Sequence, residues 1–213
     1  MKLWNYEAFV LDLDGTLIDS GKYHARAFAD AVQEQSGYML TADEHHEFFA
    51  MHSTWFSTVL NKRHGLSLKP ESVLAQKRKR VEEIFVAELF SGARDFLERW
   101  YGKKPMALAT NSPLSFVQSA LKKADVMKYF ECITTADDVV NRKPDPEVVE
   151  VSIQRLQADP LNTLVFEDQL IGIEAARAAG AKVIAVDNGQ PVNYPVDVAV
   201  YNWSELLKLS EMR

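Results

Sequence analysis

Apolar positions along this chain come in two textures. Residues 8–12 run apolar without polar alternation and end on an acid, the pattern of a strand buried on both faces. From there to about residue 89 helical patterns dominate. Ser20 is placed to cap a helix through residue 35 that Ser36-Gly37 closes, and Thr41 with Glu44 three residues on makes a capping box for the next. A third helix is expected over 53–62, ahead of His64-Gly65, and a fourth from Pro70 into the region of Phe85. From Gly92 the texture alternates, with strands predicted at 105–110, 132–134, 163–166 and 182–186, and helices at 113–124, 146–156 and 172–179. Strands alternating with helices of this length imply a parallel sheet with helices on both sides. The predicted fold class is therefore α/β, a doubly wound parallel sheet interrupted after its first strand by a helical insertion, with 1–17 and 89–213 as the core and 18–88 as the insertion. Residues 189–195 read as a surface loop.

Composition narrows the classes of function. A chain of 213 residues can bury a sizeable core, and nothing calls for an oligomer, so a monomer is expected. The formal charge of −6 argues against non-specific nucleic-acid binding, and it obliges any anionic ligand to find its cations locally. Cys132 is the only cysteine, so an intrachain disulfide is excluded and a reducing compartment fits. With no signal-like start and no run long enough to span a membrane, a cytoplasmic location without a membrane partner is expected.

The chemistry concentrates where predicted strands end. Asp12 and Asp14, one residue apart at the close of the first strand, sit where ligands gather in open α/β sheets. Like charges this close raise each other's pKa unless a cation intervenes. With Mg²⁺ bound, one carboxylate can attack phosphorus while the other holds or donates a proton. A calcium loop needs an oxygen ligand, a glycine and a glutamate at its fifth, sixth and twelfth positions, where this chain has Thr16, Leu17 and Tyr23. Thr110-Asn111-Ser112 closes the next strand ahead of Pro113; a hydroxyl and backbone amides at a helix start suit phosphate oxygens, although alone this is also ordinary capping. Lys143 is either a solvated loop lysine or a point charge that neutralises phosphate. Glu167-Asp168 ends a further strand, and Asp168 with Asp12 offers carboxylates for a hard cation such as Mg²⁺. Four polar strand ends in this order say more than any one of them.

With these residues assembled, the chain resembles the haloacid dehalogenase superfamily of phosphohydrolases. Asp12-Leu13-Asp14-Gly15-Thr16 is similar to its first motif, Thr110-Asn111-Ser112 to its second, Lys143-Pro144 to its third, and Glu167-Asp168 with Gly172 and Ala175-Ala176 to its fourth. The β-phosphoglucomutase-like branch is nearest, and within it the bacterial fructose-1-phosphate phosphatase group, on Ser53-Thr54-Trp55 and the stretch from Trp100 to Ala107. The resemblance implies a Rossmann-like core with a C1-type helical cap and Mg²⁺ held by Asp12, Glu167, Asp168 and the backbone carbonyl of Asp14. It further implies Asp12 as nucleophile, Asp14 as acid and base, Thr110 and Lys143 as catalytic partners, and Asn111, Ser112, His24, His52, Trp55 and Lys79 around the substrate. His24 reads equally as a hydrogen-bonded histidine, and Trp55 by composition as core.

Two departures stand out. Mutases of this branch carry a cap arginine in a Gly-x-Ser-Arg context, whereas this chain has Met51-His52-Ser53-Thr54; and Gln169 stands where serine or alanine is common. Glu44-His45-His46-Glu47 lacks the spacing of a helical metal site and reads as a solvated helix face, as does Lys77-Arg78-Lys79-Arg80. The expectation is Mg²⁺-dependent hydrolysis of small sugar phosphates such as fructose 1-phosphate. The alternatives are a mutase-type phosphotransferase or a catalytically silent sugar-phosphate-binding regulator; Asp14 speaks against a dehalogenase.

Overall fold

The computed structural model describes residues 3–48, 53–189, 195–196 and 198–211. The chain divides into two compact units, Met1–Asp19 with Ala87–Arg213, and Ser20–Val86. The division lies two residues inside the expected 18–88 at each end. Ile18 bridges to Leu89 and the Asp19 N–H donates to Glu88 O at 2.9 Å, so the sheet-containing unit keeps both segments.

That unit is built on strands β1 (Ala8–Leu11), β2 (Met106–Ala109), β3 (Cys132–Thr134), β4 (Thr163–Glu167), β5 (Lys182–Val186) and β6 (Ala199–Val200). All pair in parallel, in the order β3-β2-β1-β4-β5-β6. The unalternating apolar sequences of β1 and β2 are explained by burial on both faces. Adjacent residues serve opposite layers, because side chains alternate along a strand. Val10, Ala107, Val165 and Val183 pack with Val149 and Ile153 of helix Glu147–Arg155 and with Ile173 and Ala176 of helix Leu170–Ala178. Phe9 meets Trp100 edge-on at 5.1 Å and Phe166 meets Trp203 at 5.3 Å, rings carried by helices Ala93–Trp100 and Trp203–Glu211. Each such buried ring or branched chain contributes roughly 1.5–3 kcal/mol.

The second unit contains helices α1 (Gly21–Ser36), α2 (Ala42–Phe48), α3 (Ser53–His64) and α4 (Pro70–Ile84); α5 to α9 are Ala93–Trp100, Leu114–Lys123, Glu147–Arg155, Leu170–Ala178 and Trp203–Glu211. It has its own core of Phe28, Val32, Phe48, Phe56, Leu60 and Val73, with Phe28 stacked on Phe48 at 4.4 Å. Among the described residues no helix is long and apolar enough to cross a membrane.

Three elements go beyond the sequence expectation: α5, β6 and α9. The expected loop over 189–195 falls mostly on residues outside the described ones. Ser20 makes no side-chain cap; α1 instead starts from its carbonyl, which accepts from Tyr23 and His24 N–H. The Thr41–Glu44 box does form: Glu44 N donates to Thr41 Oγ1 at 3.3 Å and Thr41 N donates to Glu44 Oε2 at 3.0 Å.

The solvated-face reading of α2 is corrected at Glu44, which is 3% exposed. Its carboxylate also accepts from Tyr38 Oη at 2.9 Å and meets His64 Nε2 at 2.5 Å. Burial opposes its charge, but the Thr41 N–H, His64 and Tyr38 outweigh that and hold its pKa down to about 2, from 4.5. A carboxylate depressed in this way lends stability above its unfolded pKa and loses it as pH falls through the folded one. Glu44→Gln should therefore destabilise the protein at pH 7 by about 2–3 kcal/mol, with the gap to wild type closing between pH 4.5 and 2. Urea melts of the full chain at pH 7 and pH 2.5 test this; an equal gap at both would mean that the charge is not the source.

Candidate active site

Parallel register brings the predicted strand ends together. Leu11 lies opposite Leu108 on one side and Phe166 on the other, so the next residue along β1, Asp12, is flanked by the ends of β2 and β4. This is where the strand order turns, β2 on one side of β1 and β4 on the other, the crevice in which open α/β sheets bind ligands. Lys143 arrives from the loop before α7. Its ammonium donates to Asp12 Oδ1 at 2.7 Å, Glu167 Oε1 at 2.7 Å and Ala109 O at 2.8 Å, using all three hydrogens. The side chain is 3% exposed, which removes the solvated-loop alternative.

Asp12, Glu167 and Asp168 form one group whose ligand atoms lie within 4.8 Å of one another. Burial raises the pKa of Asp12 to about 8 against the pull of Lys143, and the carboxylates of Glu167 and Asp14 add to the rise. Asp168 is likewise held well above its ordinary value by burial and by Glu167 and Asp12. Burial opposes the charge of Lys143, but Asp12 and Glu167 outweigh it and raise its pKa. Lys143 is thus the secure charge, and the acids bear the strain: one ammonium faces three carboxylates. A set of oxygen donors with this excess of negative charge fits a hard divalent cation.

The other strand-end residues support this group. Ser112 Oγ donates to Asp14 Oδ2 at 2.6 Å, and Thr110 Oγ1 accepts from Ser112 N at 3.1 Å. Asn111 is spent on the main chain of Lys143: its Oδ1 accepts the Lys143 N–H at 3.0 Å and its Nδ2 donates to Lys143 O at 3.2 Å. Its carboxamide thus braces the lysine loop. Glu167 Oε2 accepts from the N–H groups of Asp168 and Gln169 at 2.8 and 2.9 Å. Gly172 makes room for that side chain, since a Cβ there would stand 1.7 Å from Glu167 Oε1.

Of the residues expected in the helical unit, His24 lies in the first turn of α1, and Trp55 on α3 is 56% exposed. His52 lies outside the described residues. Lys79 is exposed, in a groove with Asp30, Glu34 and Arg80. Lys77 is the α4 lysine on the inner face, donating to Ser53 Oγ at 3.1 Å and lying 5.2 Å from the Phe48 ring centre. The sequence carried that signal: Val73, Lys77 and Val81 recur every fourth residue, and both valines are buried. Thr16, present in the first strand-end run but assigned no role there, donates to Asp168 Oδ1 at 2.6 Å.

The chain is 26% identical over 185 residues to fructose-1-phosphate phosphatase YqaB of Escherichia coli, covering 85% of this chain and 96% of that one. It is 33% identical over 191 residues to a phosphorylated carbohydrates phosphatase of Thermotoga maritima, covering 84% and 83%. The crystal structure of CbbY from Rhodobacter sphaeroides in complex with phosphate shares the fold, with a TM-score of 0.81 at 22% identity over 94% of this chain and 96% of that one. Residues 9–186, from the first strand through β5, match the model of the haloacid dehalogenase-like hydrolases, the family to which this chain belongs.

Proposed function

We propose that the protein is a Mg²⁺-dependent phosphatase of small sugar phosphates that works through an aspartyl-phosphate. The observation that carries this reading is the single buried ammonium of Lys143 set among Asp12, Glu167 and Asp168. Asp12, Asp168 and Glu167, with the carbonyl of Asp14, would hold Mg²⁺, which when bound neutralises phosphate oxygens and lets Asp12 stay ionised. The Asp12 carboxylate attacks phosphorus, displacing the sugar oxygen. Asp14, kept in place by the Ser112 hydroxyl, gives that oxygen a proton and later takes one from the attacking water. Thr110 retains its hydroxyl hydrogen for a phosphate oxygen, and Lys143 offsets the charge gathered around Asp12; phosphoryl transfer depends on such positioning and electrostatics.

Asn111 acts as the brace of Lys143. In the helical unit, taken as a substrate-selecting cap, Trp55, His24, His52 and Lys79 are the candidates for contact with the sugar. The ligand is a small phosphate ester, and a monomer in a reducing cytoplasm suits the lone cysteine and the acidic charge.

The test is phosphate release from a panel of sugar phosphates with Mg²⁺ and with EDTA. Hydrolysis of monophosphates without a bisphosphate activator, led by fructose 1-phosphate and abolished by EDTA, is expected. Strict dependence on a hexose bisphosphate with an isomerised product would establish a mutase, and no turnover of any ester would favour a regulator.

A further inference from the structure

The turn after Asp14 is gripped by a residue outside all four strand-end runs. Asn188, just past β5, places its Nδ2 2.9 Å from both Gly15 O and Thr16 O. Trp203 Nε1 adds a second bond to Thr16 O at 2.8 Å. The Thr16 hydroxyl in turn holds Asp168 Oδ1, while Gly15 lies so close to the same carboxylate that a Cβ would stand 2.2 Å from Asp168 Oδ2. Both oxygens of Asp168 are therefore bounded by residues 15 and 16. Where that turn sits, the carboxylate sits.

Two features show what Asn188 is fitted to do. Its backbone is left-handed, with φ 51°, a conformation that asparagine tolerates better than most residues. Its Oδ1 is buried without a hydrogen-bond partner among the described residues. A buried orphan acceptor is costly, and the opposite amide orientation would set that oxygen against two carbonyl oxygens. The orientation is dictated by the two carbonyls of the turn.

We infer that Asn188 is a positioning residue for the metal-binding site: by clamping Gly15 and Thr16 it fixes the Thr16 hydroxyl and, through it, the pose of the Asp168 carboxylate toward Mg²⁺. The inference rests on the proposed metal-dependent phosphatase. Outer partners of metal ligands commonly tune affinity by one to two powers of ten.

The experiment measures Mg²⁺ binding to the full chain by calorimetry without substrate, and kcat and KM at saturating Mg²⁺. Asn188→Asp removes the donor at nearly constant shape. Asn188→Gly removes it while accepting the left-handed backbone without strain, so it carries the test if Asn188→Asp fails to fold. Each should weaken Mg²⁺ about 10–100-fold, with KM for the ester at saturating Mg²⁺ within about twofold of wild type. Thr16→Val should weaken Mg²⁺ similarly, and adding Asn188→Gly to it should cost little more, because both act through one carboxylate. Unaltered Mg²⁺ affinity in Asn188→Gly, with only a lowered thermal midpoint, would reduce Asn188 to a structural brace and overturn the inference. Wild-type protein that binds no Mg²⁺ would instead refute the metal reading, and this inference with it.

Discussion

Asp12→Asn is expected to abolish phosphate release, by on the order of 10⁴-fold or more, and to leave the fold intact. Asparagine nearly matches aspartate in shape and keeps an oxygen that can accept from Lys143, but an amide cannot form the acyl phosphate. Loss of a nucleophile costs this much in comparable covalent mechanisms. The stability consequence runs the other way. Burial holds the Asp12 carboxyl at about 8, far above its unfolded 3.8, so without metal the folded wild type keeps a proton that the unfolded chain gives up, and it loses stability as pH rises through that window. The neutral variant escapes the cost, and its thermal midpoint in EDTA should equal or exceed that of wild type at pH 8. Turnover near the wild-type rate would remove Asp12 from the chemistry; a collapsed midpoint with lost turnover would leave unfolding as the explanation.

The part of this molecule legible in the sequence is the part that local pattern governs. β1 and β2 are short apolar runs with no alternation, and burial on both faces is the one environment that suits them. The Thr41–Glu44 box reads from a spacing of three because its hydrogen bonds are local. The candidate site was legible for a related reason: a parallel sheet collects its strand ends on one edge, so polar residues closing separate apolar runs had to meet. Helix α5 carried a readable signal in Ala93, Phe96, Leu97 and Trp100, all buried, but in only eight residues. β6 is two residues long and takes its place from pairing with β5, which no local pattern encodes.

What stayed hidden depends on partners far along the chain. Asn111, which the resemblance places around the substrate, has its side chain engaged with the backbone of Lys143, 32 residues away. Asn188 reaches Thr16 across 172 residues, from a segment whose Asp-Asn-Gly reads only as a turn. Glu44 looked solvated because its neighbours are polar, while His64 and Tyr38, which enclose it, lie on other elements.

Lys143→Met tests the charge balance of the site most directly. Methionine retains the buried stem and removes the ammonium, leaving Asp12 Oδ1 and Glu167 Oε1, each 2.7 Å from the lost nitrogen, without their common partner. Turnover should fall about 10²–10³-fold, as when a single charge-stabilising donor is deleted from a dry site. Stability should fall too, by about 3–5 kcal/mol at pH 8, the range for breaking a buried ion pair. The pH dependence gives the cause. Asp12 is raised to about 8 even with Lys143 present, and loss of the lysine raises it further, so below about pH 7 Asp12 is neutral in both proteins, and they differ only where the wild-type carboxyl ionises. The gap in thermal midpoint between wild type and variant should therefore stay level from pH 4 to 7 and widen above about pH 8, and saturating Mg²⁺ should narrow it by supplying positive charge to the same carboxylates. A gap independent of pH would mean that Lys143 serves packing. Turnover within about twofold of wild type, far short of the tenfold that 1.4 kcal/mol represents, would place the electrostatic stabilisation on other groups.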